Sequence, residues 1–300
     1  MKSILRWLAS AMWKRAHGRA LVIFNYHQVS PVFDPLRQSQ YTWTHLDHFR
    51  KQLQFIKSYF KVLPLHEAID CLKRSAVPGV CAALTFDDGD ISMQQHALPL
   101  LKELGLPATF FINTGHGQGK GYYWFPVANY LQHSPDPAVR ALWTDDLKAR
   151  VAQLRKTPDP SLYDAVRREV EAHSHVIDDR EPLLVDDAWL QSLDGEQFTI
   201  GAHGHEHQRS RLMSAAWQRD NLRTCVDALS GYKAYKRVFA FPFGRPWDWN
   251  EATIQSALEL DHAIVAAHGG LNIENEILIR RIPCDGRSAK EVFQHATTEW

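Results

Sequence analysis

Seven stretches of this chain are almost entirely apolar: ALVIFNY (20–26), CAALTF (81–86), ATFFIN (108–113), FTIGA (198–202), RVFAFP (237–242), HAIVAA (262–267) and EILIRRI (276–282). They are short enough to be strands, and they do not alternate apolar with polar residues. Strands of that kind are buried on both faces, which happens when helices cover a parallel sheet. Helical patterns fill the intervals. Leu46, Phe49, Leu53 and Ile56 recur at helical spacing and predict an amphipathic helix over 44–59. Further helices are expected at HEAIDCLKRS (66–75), around 92–105 before Gly105 and Pro107, near 214–230 and near 250–260; FKVLPL (60–65) reads as a short strand. This β-α rhythm specifies a parallel sheet or barrel, and roughly seven main strands favour the barrel. Neither GxGxxG nor GxxxxGK[ST] follows the early strands, which argues against dinucleotide and nucleoside-triphosphate sites.

Residues 116–190 break the rhythm. HGQGKG (116–121) is loop-like and the charged helical stretches after it carry few strand signals, so this is expected to be a helical insertion within one domain spanning 21–300. The first 20 residues form a basic segment whose apolar stretch is interrupted by Arg6. That stretch is too short to span a bilayer and lacks the clean apolar core of a secretory signal. With Trp7 and Trp13 it suits either a packing helix at the domain edge or an amphipathic helix in peripheral contact with a membrane surface. Lys plus Arg number 34 and Asp plus Glu number 34, leaving no cationic surplus for a nucleic-acid partner. Cys71, Cys81, Cys225 and Cys284 are widely spaced with no CxxC pair. They read as core thiols of a reducing compartment, and a cytoplasmic location, at most peripheral at the inner membrane face, is the expectation.

Two motifs carry chemistry. In LTFDDGD (84–90) an apolar strand ends in Asp87–Asp88–Gly89. Catalytic groups of a β/α barrel gather at the C-terminal ends of its strands. Adjacent residues leaving a strand point different ways, so one carboxylate could hold a cation while the other meets water or substrate. A helix N-cap is the alternative use of such an Asp. GAHGHEH (201–207) follows another strand and offers His203, His205 and His207. If the backbone stays extended, all three share a side; if it turns, His203 and His207 meet and His205 points elsewhere. Two imidazoles and a carboxylate make an open site for Zn²⁺ or a similar divalent ion. His173 and His175, in the insertion, are read as surface residues.

TFDDG, GAHGHEH and FAFPFG (239–244), in that order, resemble the motifs of the polysaccharide deacetylases, the NodB-homology or carbohydrate esterase family 4 group. FNYHQVSP (24–31), LPLLKELGLPATFFINTG (98–115) and ILIRRIP (277–283) extend the resemblance over roughly residues 20–290. It implies an α/β fold, a distorted (β/α)7 barrel with a helical insertion. It also implies a metal-dependent hydrolase that removes N-acetyl groups from an amino-sugar polysaccharide or glycan precursor. Asp87 would be the base that activates water, and Asp88, His203 and His207 would hold zinc, with cobalt or nickel as alternatives; His205 would be a neighbour. Pro242 and Phe243, the latter where the family usually has Tyr, would place a backbone N–H on the oxyanion, and Trp247 would contact substrate.

Three departures from the family pattern stand out. Ala240 occupies the usual place of an arginine that orients the base, and Arg280 or Arg281 is the expected substitute, Arg281 being taken as the site residue. The late motif bearing a general-acid histidine has no clear counterpart; His27, at a strand end, is the first candidate and His268 the second. Gly204 replaces a Ser or Thr. Tyr122, Tyr123, Trp124, Trp247 and Trp249 are divided between sugar stacking and packing. The competing functions are a deformylase or deacetylase of a lipid-linked or nucleotide-linked sugar, and an inactive glycan-binding barrel. A two-metal phosphoesterase would need more grouped ligands.

Overall fold

The apolar runs become parallel strands. The computed structural model describes residues 20–292 apart from 40, 78, 116–123, 157–158, 178–182, 268, 274–275 and 289–290. The N-terminal basic segment, Tyr122, Tyr123 and His268 therefore lie outside the described residues. The strands are β1 (Ala20–Tyr26), β2 (Gln28–Ser30), β3 (Trp43–His45), β4 (Lys61–Val62), β5 (Val80–Phe86) and β6 (Ala108–Ile112). They continue with β7 (Phe198–Ala202), β8 (Tyr235–Ala240), β9 (Ala263–Ala266), β10 (Leu278–Arg280) and β11 (Ile282–Pro283).

The main sheet runs β10-β9-β8-β7-β6-β5-β1-β11, every pairing parallel. Only Arg281 separates β10 from β11, so one segment forms both edges. It pairs with β9 through Leu278↔Ile264 and with β1 through Phe24↔Ile282. That segment closes the expected barrel. Asn272 reinforces the seam, exchanging two backbone hydrogen bonds with Leu21 at 2.9 Å each, while its side chain accepts from the Arg280 N–H at 2.8 Å. The barrel is distorted beside β5, where β4 pairs with the first half (Lys61↔Cys81) and β6 with the second (Thr85↔Thr109).

Strand alternation sorts the side chains. Val22, Phe24, Tyr26, Leu84, Phe86 and Phe110 belong to one core beneath the surrounding helices. Leu21, Ile23, Cys81, Ala83, Val238 and Val265 belong to a second, inside the barrel. Both faces of β1, β5, β6 and β7 are thus almost entirely dry, which is why those runs are continuously apolar. The helices are α1 (Leu46–Tyr59), α2 (Leu65–Lys73), α3 (Leu98–Leu104), α4 (Trp124–His133), α5 (Pro137–Ala141), α6 (Asp145–Lys156), α7 (Pro160–Glu171), α8 (Asp187–Ser192), α9 (Ala215–Leu229) and α10 (Glu251–Glu259). Leu65, Ala68, Ile69 and Leu72 of α2 join the interior core and cap that end of the barrel. Gly105, left-handed at φ 64°, ends α3 where the sequence places its stop.

Helices α4–α7 of the insertion have their own apolar core, which includes Val127, Leu131, Leu147, Tyr163 and Val166. The insertion docks on the strand-end loops through Ile91 N–H to Leu183 O and Val185 N–H to Gly89 O, both 2.9 Å. Among the described residues there is no disulfide, and no helix is long and apolar enough to cross a membrane.

Candidate active site

Strand β5 delivers its two carboxylates to different places. The Asp87 N–H is still held by Tyr26 O at 2.9 Å, but Asp88 (φ 80°) and Gly89 (φ 69°) are both left-handed and turn the chain sharply. Asp87 is buried within the barrel. Arg281 grips it in bidentate fashion, Nη1 to Oδ1 at 2.7 Å and Nη2 to Oδ2 at 2.8 Å. Asn25 Nδ2 donates to Asp87 Oδ2 at 3.1 Å, and Arg281 Nη1 also donates to Asn25 Oδ1 at 2.7 Å. Arg281 is fully buried, its guanidinium 5.2 Å from the Phe111 ring centre. Burial disfavours the Asp87 carboxylate, yet the adjacent guanidinium outweighs it and holds the pKa below the ordinary value. Arg280, one residue earlier, turns outward to Glu276 at 2.8 Å. Of the two arginines, Arg281 meets Asp87.

Asp88 sits at the rim with the histidine stretch. Gly204, at φ 83°, opens a tight turn after β7 in which a Cβ would lie 2.9 Å from Asn221 Oδ1. That same Asn221 oxygen accepts the His205 N–H at 3.0 Å. The glycine that departs from the family pattern is thus the residue the turn requires. The turn brings His203 and His207 together, their rings 5.2 Å apart, while His205 Nδ1 lies 3.0 Å from Thr114 Oγ1. Nε2 of His203 and of His207 lie 3.3 and 3.1 Å from Asp88 Oδ1, and the three ligand atoms fall within 4.8 Å of one another.

The donor chemistry fits a cation. His203 Nδ1 is 2.9 Å from Ala240 O, a group that only accepts, so Nδ1 carries a proton and Nε2 is the ring nitrogen left facing Asp88. Burial lowers the His207 pKa and favours its neutral, ligating form. Burial opposes the Asp88 carboxylate, but the charge of His207 and hydrogen bonds from His203 and His207 hold its pKa well below the ordinary value as long as those rings carry the protons that a bound cation would displace. A carboxylate oxygen and two imidazole nitrogens gathered within 4.8 Å of one another suit a divalent ion.

His27 stands between two carboxylates. Its Nδ1 is 2.7 Å from Asp285 Oδ2, its backbone N–H donates to Asp285 Oδ1 at 3.0 Å, and its Nε2 lies 3.9 Å from Asp87 Oδ2. Burial works against the imidazolium, but the Asp285 charge and hydrogen bond raise the His27 pKa to about 10. Asp285 was not anticipated. Its signal is IPCDG (282–286), a carboxylate just past the closing strand and therefore beside the loop after β1. Asn25 was missed as well, and its signal is a lone amide in an apolar run.

These groups open into a cleft of about 270 Å³, bounded by His27, Asp88, His207 and Phe243 and, from the insertion, Trp124 and Trp143. Phe243 adopts φ 62° with its ring 4.7 Å from His207; Pro242 packs beside Gly204. Trp247 is 54 % exposed, lies 5.6 Å from the Arg245 guanidinium and does not line the cleft. Trp249 stacks on Phe241 at 5.1 Å, as packing. His173 is half-buried and His175 exposed, and neither lines the cleft.

Fold and site together define a parallel barrel with a buried, arginine-held carboxylate beside an Asp-His-His cluster at its strand ends. The polysaccharide deacetylase family model matches residues 74–265, and the chain belongs to that family. Among curated proteins it is similar to poly-beta-1,6-N-acetyl-D-glucosamine N-deacetylases. The Staphylococcus aureus protein is 38% identical over 69 residues, 23% of this chain and 24% of the relative. The Staphylococcus epidermidis protein is 32% identical over 104 residues, 31% of this chain and 35% of the relative. These matches thus span about a quarter to a third of the relatives' length. Among solved structures, the Streptococcus pyogenes deacetylase PplD in complex with acetate aligns with a TM-score of 0.61 at 17% identity, covering 92% of this chain and 98% of that one. IcaB from Ammonifex degensii gives 0.56 at 18% identity, covering 94% and 98%. Both likenesses are of fold.

Proposed function

We propose that this chain is a metal-dependent hydrolase that removes N-acetyl groups from an amino-sugar polysaccharide. Its strongest support is the division of labour between neighbours: Asp87 is held by Arg281 within 3.9 Å of His27, while Asp88 meets both ligating imidazoles. Family membership and the relatives named for N-deacetylation of poly-N-acetylglucosamine point the same way.

Asp88, His203 and His207 would hold the cation, zinc by the donor set, with cobalt or nickel as alternatives. A divalent ion there supplies a Lewis acid that polarises the amide carbonyl and acidifies water. Asp87 takes the proton from the attacking water, and Arg281 keeps it ionised and fixed in rotation for that step. His27, kept protonated by Asp285, donates to the departing nitrogen. The Phe243 N–H is the donor assigned to the developing oxyanion. The amide C–N bond breaks, the oxygen of water ends on the acyl carbon, and at neutral pH acetate and an ammonium group leave.

Zinc-loaded protein is incubated with N-acetylated glycan oligomers and lipid-linked N-acetyl sugars, and products are read by mass spectrometry. Loss of 42 mass units per unit turned over is expected from the glycans (~42, the mass of an acetyl group replaced by hydrogen, as amide hydrolysis at a metal site requires). Asp87→Asn lowers turnover by about 10²–10⁴-fold without releasing zinc. Undiminished turnover by the variant would sink the mechanism.

A further inference from the structure

The cleft does not end at the catalytic groups. A second cavity of about 190 Å³ lies between the insertion and the barrel rim, lined by Trp124, Val151, Leu154, Tyr163, Leu212 and Phe243 together with Arg209. Trp124, Val151 and Phe243 also line the catalytic cleft, so the two spaces share a boundary of three apolar side chains. The polar side chains around this chamber are Trp124, Tyr163 and Arg209. Trp124 Nε1 donates to Tyr163 OH at 3.2 Å, and the Arg209 guanidinium lies 5.0 Å from the Phe243 ring centre and 3.5 Å from Asp248.

The far side of the cleft is built differently. Gln28 donates to Asp90 at 2.8 Å and to Arg37 O at 3.1 Å, and its Oε1 accepts from Ser39 N–H and Thr42 Oγ1, each at 3.2 Å. Those five residues give the cleft a polar wall on which sugar hydroxyls find partners. Six of the seven residues around the chamber, all but Arg209, offer it apolar surface, so an apolar occupant finds most of its contacts there. The boundary is also close to the chemistry, since the Phe243 ring centre is 4.7 Å from that of His207.

We propose that the chamber receives the acyl chain of the substrate, so that the enzyme cleaves N-acyl groups longer than acetyl from amino sugars. This inference rests on the deacylase function above and extends its substrate class. At roughly 30 Å³ per water-sized group, the chamber holds about six such groups, the length of a hexanoyl chain. The bond changes are those already given: water cleaves the amide C–N bond, and a longer carboxylate leaves with the amine.

Calorimetric titration of the zinc-loaded full chain with acetate, butyrate and hexanoate tests the chamber directly. Binding is expected to tighten by about 4-fold per added methylene. Leu154→Phe and, separately, Val151→Phe fill the chamber and should collapse the hexanoate-to-acetate ratio toward one, with folding of each checked by its melting transition. Affinity that is flat with chain length, or a ratio untouched by both substitutions, overturns the proposal. Hydrolysis of N-acetyl and N-hexanoyl glucosamine oligomers separates it from its premise. Turnover of the acetyl substrate alone overturns the acyl chamber and leaves deacetylation standing. Failure to hydrolyse either, with hexanoate still preferred in binding, removes the deacylase function and supports the chamber's ligand class.

Discussion

The inside of the barrel and its rim treat the two carboxylates of β5 in opposite ways. Within the barrel, Asp87 finds its countercharge in the same chain: Arg281 meets both oxygens and Asn25 adds a donor. At the rim, Asp88 faces Nε2 of His203 and of His207 at 3.3 and 3.1 Å. The first environment supplies its own countercharge, and the second gathers donor atoms that suit a cation. Charge balance therefore separates the two carboxylates and supports the base and ligand roles proposed for them, although the residues are adjacent and identical.

Arg281→Ala should produce the largest effect on stability. It leaves Asp87 buried without its partner, an arrangement that costs about 3–5 kcal/mol. Urea unfolding measures this, and Arg281→Met combined with Asp87→Asn should recover much of the loss by removing both charges. Zinc binding by Arg281→Ala should persist, and its loss would mean that interior and rim are one unit. Zinc itself comes next. At 100-fold excess over its Kd it should stabilise wild type by about 2.7 kcal/mol, seen as a rise of several degrees in Tm that chelation reverses. His203→Ala should abolish that rise while leaving the interior pair intact; a rise undiminished in the variant would break the contrast.

The smallest effect concerns His27. Its pKa rises from 6.5 to about 10 in the folded protein, so the pair it makes with Asp285 stabilises fully below pH 6.5 and is lost as pH climbs toward 10. Asp285→Asn should cost about 1.5–3 kcal/mol near neutrality, the range of hydrogen bonds to charged groups. The gap between the two melting curves should close progressively between pH 6.5 and 10. A gap independent of pH would show that Asp285 acts on packing and not on the charge of His27.

Much of this architecture is legible in order along the chain. Strand runs, the stop at Gly105 and the helical character of the insertion follow from local pattern. Asp87, Asp88, His203 and His207 announce themselves because strand-end carboxylates and closely spaced histidines are unusual. What the chain order hides is pairing. Arg280 and Arg281 are equivalent as text, yet in an extended segment they face opposite sides, so that only Arg281 enters the barrel while Arg280 meets Glu276. Asp285 pairs with His27 across 258 residues. No local periodicity carries such a contact.

By itself the sequence determined the barrel class and the residue types at its strand ends, because burial on both faces leaves a continuous apolar signature in each strand. The tertiary structure alone decided which neighbour each polar group received. One segment, Leu278–Pro283, closes the barrel by pairing with β9 on one side and β1 on the other. That closure sets Arg281 on Asp87 and Asp285 on His27, since partners are chosen by register around the ring and not by distance along the chain.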